Sequence, residues 1–160
     1  MSVLFGCHSP IHSLVVLVAW VKLHHRLPQF WELICILIHD WGHWNIQYLD
    51  DYEAKKNHWQ LGARIGKRLF GQKAYDLIEG HCAYNGQAQS ALYRPDKYSW
   101  IIAPLWWMWT NTIFEPKLIR PGRSRIQSAR DFKEAMRKNW DDGLVKQGHD
   151  IYLEQWNRRS

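Results

Sequence analysis

The sequence predicts an all-α protein of the helical-bundle type, and three observations support this. Apolar residues recur at helical spacing over several stretches, Pro and Gly stand where such helices would begin and end, and no stretch shows convincing period-two alternation. The chain has 160 residues, of which 46% are hydrophobic. This length and composition suit one domain with one core, so we expect a single domain over 1–160.

Signals for helix ends divide the N-terminal half of the chain. Ser9 and Pro10 are a typical N-cap and first helical residue, and Gly71 is a typical helix stop. The predicted elements are a helix over 10–23, a turn over 24–28, a helix over 30–42, a loop over 45–50 and a helix over 51–70. Gly62 and Gly66 lie four residues apart on one face of that last helix, which lets another helix approach closely.

Turn-forming residues divide the C-terminal half in the same way. Asn85-Gly86 marks a turn, Pro95 opens a helix, and Pro104 interrupts or kinks it. The predicted elements are helices over about 72–82, from 95 to 109 with the interruption, over 129–140 and over 144–158, with an irregular segment over 115–125. Many of the 11 Trp residues must be buried or line a pocket, because so many exposed indoles would make the surface sticky.

Composition also narrows the cellular setting. The longest apolar runs, over 14–21, 33–38 and 100–109, are far shorter than the ~20 residues of a membrane span, and no secretory signal is visible. Three cysteines at long spacings do not suggest a disulfide framework. We therefore expect a cytoplasmic protein without a membrane partner.

The formal net charge of +6 favours anionic partners such as nucleotides, phosphorylated metabolites or nucleic acid. The basic residues of the segment 117–130 have no acidic residue among them and could grip a polyphosphate or nucleic acid; they are Lys117, Arg120, Arg123, Arg125 and Arg130. The alternative interpretation of this segment is an ordinary solvated loop.

An ordered series of histidines and aspartates indicates a metal site. The candidate ligands are His8 or His12, His39, Asp40, His58, His81 and Asp96. Imidazole and carboxylate suit divalent metals, and a helical bundle can point side chains from different helices at one centre. Asp40 follows the apolar run 33–38, whose helix would bury it, and a metal is the simplest compensation for a buried carboxylate.

This series, H … HD … H … H … D, resembles that of the HD superfamily of metal-dependent phosphohydrolases. The string ILIHDWGH is similar to the hallmark helix that ends in HD, and RPDKYSW is similar to the helix start that supplies the final Asp. The resemblance covers roughly 8–110. It implies an HD-type helical bundle over that core, on which the basic loop and C-terminal helices of 111–160 would pack.

The resemblance also implies a set of metal ligands. His39, Asp40 and Asp96 would hold one metal together with an N-terminal histidine. His12 stands in a string typical of the family, whereas the interval from His8 to His39 is the more typical one, which slightly favours His8; the other would then lie behind the ligands or face the substrate.

Two-metal members of the family imply further roles. His58 and His81 would hold a second metal, with Asp40 bridging both, and the catalytic set would be Asp40, His58, His81 and Lys97. A metal-acidified water would attack phosphorus. The cofactor would be one or two divalent ions per chain, with Mn²⁺, Fe²⁺, Co²⁺, Ni²⁺ and Mg²⁺ all possible.

Candidate substrate-binding residues surround this series. Arg94 and Lys97 flank the final Asp and could hold phosphate oxygens, and Lys56 and Arg64 are weaker candidates. Trp106 could stack on a nucleobase, although a tryptophan-rich run at helical spacing is more often core.

Two residues near the series have plainer interpretations. His43 could support the ligands or serve packing equally well, and Cys82 is expected to be a small buried hydrophobe. For function, the leading hypothesis is hydrolysis of a phosphate ester or anhydride of a small nucleotide. The alternatives are a mixed-valent di-iron oxygenase of the HD type and a catalytically degraded module that binds nucleic acid or a protein partner.

Overall fold

Helices make up all the regular structure in the part of the chain that the computed structural model describes, which comprises residues 10–45, 57–82, 88–114 and 116–143. In chain order they are α1 (Pro10–His24), α2 (Phe30–Ile38), α3 (Trp59–Phe70), α4 (Gln72–Glu79), α5 (Tyr93–Ile102), α6 (Leu105–Phe114) and α7 (Arg125–Asp141), with short 3-10 helices at Trp41–Asn45 and Pro116–Leu118. The prediction of an all-α fold is confirmed.

Several predicted helix ends are wrong, and hydrogen bonds explain two of them. Helix α4 ends at Glu79, and the Gly80 carbonyl that follows accepts the Ser90 N–H (2.9 Å) in place of an N–H from a further helical turn. Helix α7 begins before the predicted start because Ser124 accepts the Gln127 N–H in a capping box.

The remaining boundaries differ in simpler ways. Helix α2 ends at Ile38, short of the predicted residue 42, and a tighter 3-10 turn follows it. Residues 57–58 form a turn before α3, so that helix starts later than predicted. The predicted N-cap Ser9, the segment 51–56, the Asn85-Gly86 turn and the helix over 144–158 lie outside the described residues.

Two hydrophobic layers meet along α1. One layer joins α1 to α2, α3 and α4, with Trp20, Ile36 and Ile78 at its centre. The other lies under α5, α6 and α7, where Trp107 is fully buried. Because residues of α1 belong to both layers, this helix fixes the position of one layer relative to the other. The site described below lies on the boundary between the two layers.

Two glycines permit the close contact between the end of α2 and the start of α3. A Cβ at Gly62 would lie 2.3 Å from the Ile38 carbonyl oxygen, and one at Gly42 would lie 1.8 Å from the His58 carbonyl oxygen. Only a residue without a side chain fits at either place. The prediction of a close approach at Gly62 is confirmed, and the two contacts hold the end of α2 and the turn after it against the start of α3.

The α1–α2 turn is held by an ion pair. Arg26 donates from both terminal nitrogens to the Glu32 carboxylate at 2.6 and 2.7 Å, and the Gln29 N–H donates to the same carboxylate at 2.7 Å. The hydrogen bond from Arg26 holds the pKa of Glu32 below its usual value despite the opposing effect of burial. Glu32 therefore contributes to stability in its ionised form.

Within the described ranges, no helix has the length and apolar character needed to cross a membrane.

Gly62→Ala and Gly66→Ala form a matched pair that tests the close approach. The added methyl at Gly62 meets backbone, so we expect a loss of about 1–3 kcal/mol of unfolding free energy. At Gly66 its nearest neighbour is the flexible end of Ile78, at 3.2 Å, while Ala74 Cβ at 3.4 Å and the Ala74 carbonyl oxygen at 3.6 Å are ordinary contacts, and the gain in helix propensity of up to about 1 kcal/mol offsets the Ile78 contact. Urea unfolding measures both. Equal effects of the two substitutions would contradict the assigned contact.

Glu32→Gln should lower the thermal midpoint of unfolding at neutral pH, because the uncharged amide cannot form the ion pair with Arg26. A carboxyl whose pKa is depressed in the folded state stabilises fully above its unfolded pKa of about 4.3, and that contribution disappears as the pH falls through the folded pKa. The difference in thermal midpoint between wild type and variant should therefore be largest at pH 7 and should disappear under acid conditions. Glu134→Gln, at an exposed position of α7, is the control and should leave the midpoint unchanged at both pH values.

Candidate metal centre

Polar side chains from every part of the described bundle except α6 and α7 converge at the boundary of the two layers. They are His12 of α1, His39 and Asp40 after α2, His43 of the following 3-10 helix, His58 before α3, His81 after α4, and Asp96 in the first turn of α5. All are buried except His58, whose side chain is 10% exposed. We call this set the metal-centre cluster.

Asp40 lies at the middle of the metal-centre cluster, and its two oxygens face different partners. Oδ2 lies 3.2 Å from His12 Nε2 and 3.4 Å from His39 Nε2. Oδ1 lies 3.2 Å from His58 Nε2 and 3.5 Å from His81 Nε2. A carboxylate placed in this way can join two neighbouring ion sites, one on each oxygen.

Asp96 completes the first of these two sides. Its Oδ1 lies 3.1 Å from His12 Nε2 and 3.8 Å from His39 Nε2, while its Oδ2 lies 3.2 Å from Lys97 Nζ. Packing of α1 against α5 brings His12 and Asp96 together although they are 84 residues apart in sequence. The first side therefore offers two imidazoles and two carboxylates.

The ring orientations of His39 and His81 are fixed by their own helices. His39 Nδ1 donates to the Ile36 carbonyl at 2.7 Å, and His81 Nδ1 donates to the Ile78 carbonyl. With Nδ1 protonated, the neutral ring carries its lone pair on Nε2, which in both residues points at Asp40. Metal-binding histidines in proteins are held by the same kind of hydrogen bond.

The chemistry of the donor set fits a cation. His39 Nε2 is fully buried and has no hydrogen-bond partner, and it faces oxygens of Asp40 and Asp96 at 3.4 and 3.8 Å. These three atoms are all electron-pair donors, and burying them side by side is costly without a positive charge between them. A divalent ion would supply that charge and could accept all three lone pairs.

The electrostatics of the metal-centre cluster keep both of its carboxylates ionised, which is the form in which they bind a cation. Burial alone would raise the pKa of Asp40, but electrostatic attraction to the His39 ring and hydrogen bonds from His12 and His58 hold it well below its usual range. Burial would likewise raise the pKa of Asp96, but the charge of Lys97 is the main effect that holds it well below its usual range. Burial disfavours a charged His12, yet its bonds to both carboxylates raise its pKa to about 9, so a cation that binds at this ring would displace its proton. Burial lowers the pKa of His81, which keeps that ring neutral, as a ligand must be.

The described residues contain overlapping groups of donors whose ligand atoms lie within 4.8 Å of one another. These groups are His12, His39 and Asp96; His39, Asp40 and His81; Asp40, His43 and His58; and His58, His81 and Cys82. Buried groups of this kind can hold metal ions. The sequence-predicted candidates His12, His39, Asp40, His58, His81 and Asp96 are thus brought together.

The structure adds His43 to the metal-centre cluster, where the sequence left its role open. Its ring stacks on His58 with a centroid distance of 4.3 Å, and its Nε2 lies 3.9 Å from Asp40 Oδ1. The sequence signal was its position four residues after His39, but a packing role explained that spacing equally well. The 3-10 turn after α2 is what directs this ring inward.

Other candidates lie elsewhere. His8 and Lys56 are outside the described residues, so His12 is the N-terminal histidine that the described part of the chain places at the centre. Among the predicted substrate-binding residues, Lys97 adjoins the metal-centre cluster through Asp96. Arg94 is exposed and lies over the Trp140 ring at 4.9 Å, and Arg64 is exposed and donates to Gln60.

The tryptophan that reaches the metal-centre cluster is Trp107 rather than Trp106. Trp107 is fully buried and stacks on His12 with a centroid distance of 6.0 Å and an interplanar angle of 12°. Trp100 lies on the same ring at 5.2 Å. Trp106 is 56% exposed, and none of the described contacts joins it to the centre. Helical phase explains the difference, because adjacent residues on α6 point about 100° apart.

Comparison of the chain with protein-family models, with curated proteins and with solved structures finds no match in any of the three. The metal-centre cluster and its all-helical setting are therefore the observations on which the functional argument rests.

Asp40→Ala should abolish tight binding of divalent ions, since this carboxylate faces both sides of the centre. Equilibrium dialysis with Mn²⁺ or Co²⁺, followed by elemental analysis, measures the ions bound per chain. Asp76→Ala is the control, because Asp76 is exposed on α4 and its Oδ1 accepts only a local bond from Gln72. Circular dichroism checks that both variants keep their helices. Unchanged stoichiometry in a folded Asp40→Ala variant would show that the ions bind elsewhere.

Proposed function

We propose that this chain is a metal-dependent phosphohydrolase of the HD type that cleaves a phosphate ester or anhydride of a nucleotide. The observation that carries the proposal is the Asp40 carboxylate, whose two oxygens each face a separate pair of imidazoles. Paired metal sites joined by one carboxylate suit hydrolysis of phosphate esters, because one ion can position the attacking oxygen and the other the leaving oxygen. The ordered residue series adds the resemblance to the HD superfamily.

The chain's own residues divide the work. When bound, divalent ions acidify a water molecule and neutralise charge on the phosphate. His12, His39, Asp40 and Asp96 would hold one ion, while His58 and His81 would hold the other with Asp40. The Nδ1–H donors of His39 and His81 keep these rings in the orientation that binding needs.

Lys97 would act on the substrate and on a ligand at once. Its ammonium lies 3.2 Å from Asp96 Oδ2, and the side chain is 13% exposed. From that position it holds Asp96 ionised and remains able to donate to a phosphate oxygen that enters the centre.

A small nucleotide is favoured over nucleic acid as the substrate. Part of the charge of the basic segment is used within the fold, since Arg120 and Arg123 each lie 3.6 Å from Asp131 Oδ2 and Arg125 donates to the Thr112 carbonyl. These side chains are less available to a nucleic acid backbone than the sequence suggests. The formal net charge of +6 still favours an anionic substrate.

The deciding experiment is phosphate release from ribonucleotides, deoxyribonucleotides, cyclic nucleotides and dinucleotides, with Mn²⁺, Co²⁺ or Mg²⁺ and with EDTA as control. Metal-dependent release from one class would support the proposal and identify that class. If protein that holds metal released no phosphate from any of these substrates, the result would contradict the proposal. If iron-loaded protein then consumed oxygen with an organic substrate, the oxygenase alternative would replace the phosphohydrolase proposal. No activity in either assay would favour a binding module.

Lys97→Ala should reduce kcat/KM for the identified substrate by roughly 10–100-fold while ions still bind at saturating concentration, because one donor to the phosphate is lost. Lys22→Ala, at an exposed position of α1, is the matched control and should leave turnover unchanged. Initial rates over a substrate series and elemental analysis separate the two effects. Full activity in Lys97→Ala would remove this residue from the site.

A further inference from the structure

Cys82 directly follows His81 at the point where the chain leaves α4. Its side chain is 1% exposed, and its backbone is held by a hydrogen bond from its N–H to the Glu79 carbonyl at 3.1 Å. The His81 N–H likewise donates to the Ile78 carbonyl at 3.2 Å. Two consecutive residues at the end of one helix are thus fixed side by side at the edge of the metal-centre cluster.

The sulfur lies among nitrogen donors. One ligand atom from each of His58, His81 and Cys82 lies within 4.8 Å of the others, and the two Nε2 atoms are 3.0 Å apart. A tetrahedral ion holds nitrogen at about 2.0–2.1 Å and sulfur at about 2.3 Å, so its donors are separated by roughly 3.5 Å. Atoms that lie at most 4.8 Å apart need to approach by no more than about 1.3 Å to reach that spacing.

We propose that Cys82 is a thiolate ligand of the ion on the His58–His81 side, so that the two sides of the centre select different metals. The other side offers His12, His39, Asp96 and Asp40 Oδ2, and none of the described residues adds a sulfur donor to it. The thiol proton passes to solvent as the sulfur binds the ion. This inference rests on the metal centre of the proposed function and is independent of the reaction proposed for it.

The sulfur changes which ions the second side prefers. Imidazole and carboxylate alone accept the hard and borderline ions Mg²⁺ and Mn²⁺, whereas a thiolate favours softer ions such as Zn²⁺ or Fe²⁺. Protein offered equal Mn²⁺ and Zn²⁺ should therefore show a larger preference for zinc over manganese on the His58–His81 side than on the other side.

Cys35 provides the comparison for an ordinary buried cysteine. It is fully buried in α2, belongs to the same hydrophobic layer as Cys82, and burial raises the pKa of its thiol to about 11. It belongs to none of the donor groups found among the described residues. Both cysteines are buried in the same hydrophobic layer. A metal-binding property that is found for Cys82 and not for Cys35 therefore comes from the histidines next to Cys82.

Cobalt spectroscopy on the full chain tests the proposal. The metal-free protein is titrated with Co²⁺ under anaerobic conditions, and thiolate ligation is read from sulfur-to-cobalt charge-transfer absorption in the near ultraviolet. We expect the band in the wild type, in Cys35→Ser and in Cys7→Ser, and its loss in Cys82→Ser. The Cys82→Ser variant should also bind Zn²⁺ at least tenfold more weakly while its affinity for Mn²⁺ changes little.

Four outcomes would overturn the inference. Cobalt that binds to the wild type without the band, or a band that survives in Cys82→Ser, would leave Cys82 as core packing while the metal centre stands. If no ion binds, the metal centre fails together with the inference. Zinc X-ray absorption of the wild type needs no variant: a sulfur scatterer at about 2.3 Å supports the inference, and a shell of nitrogen and oxygen alone contradicts it.

Discussion

The buried carboxylate of Asp40 is the constraint on which the rest of the site depends. An ionised carboxylate removed from water costs several kcal/mol unless positive charge or hydrogen bonds surround it. In this fold imidazoles from α1, from the residues after α2 and α4 and from the turn before α3 surround the carboxylate, and a cation bound among them would complete the compensation. No single helix could surround one oxygen pair in this way, so the site requires the whole arrangement of helices rather than any local motif.

The packing serves that arrangement at specific points. Gly42 and Gly62 let the ends of α2 and α3 touch through backbone, which sets the distance between the two sides of the centre. On the opposite side, Trp107 fills the second hydrophobic layer and presents a flat face to His12. Stability and the geometry of the donor set are therefore joined here, because a change that separates these elements also separates the donors.

Much of this could be predicted from the sequence, and the limits have physical causes. Pro, Gly and apolar spacing act locally, so the helices and most candidate ligands could be predicted from neighbouring residues. His43 and the setting of Cys82 depend on contacts between helices, which no local pattern reports. The end of α4 depends on Ser90, ten residues beyond Gly80. Trp106 and Trp107 differ only in helical phase, which the position of Pro104 did not specify.

The hydrogen bonds from His39 and His81 to carbonyls three residues earlier have a further consequence. They show that α2 and α4 both terminate at the centre, with their last carbonyl groups directed toward it. The aligned peptide dipoles of a helix place about half a negative charge at its C-terminal end. The two backbones therefore add an attraction for cations that does not depend on any side chain, and it would remain after a ligand is substituted.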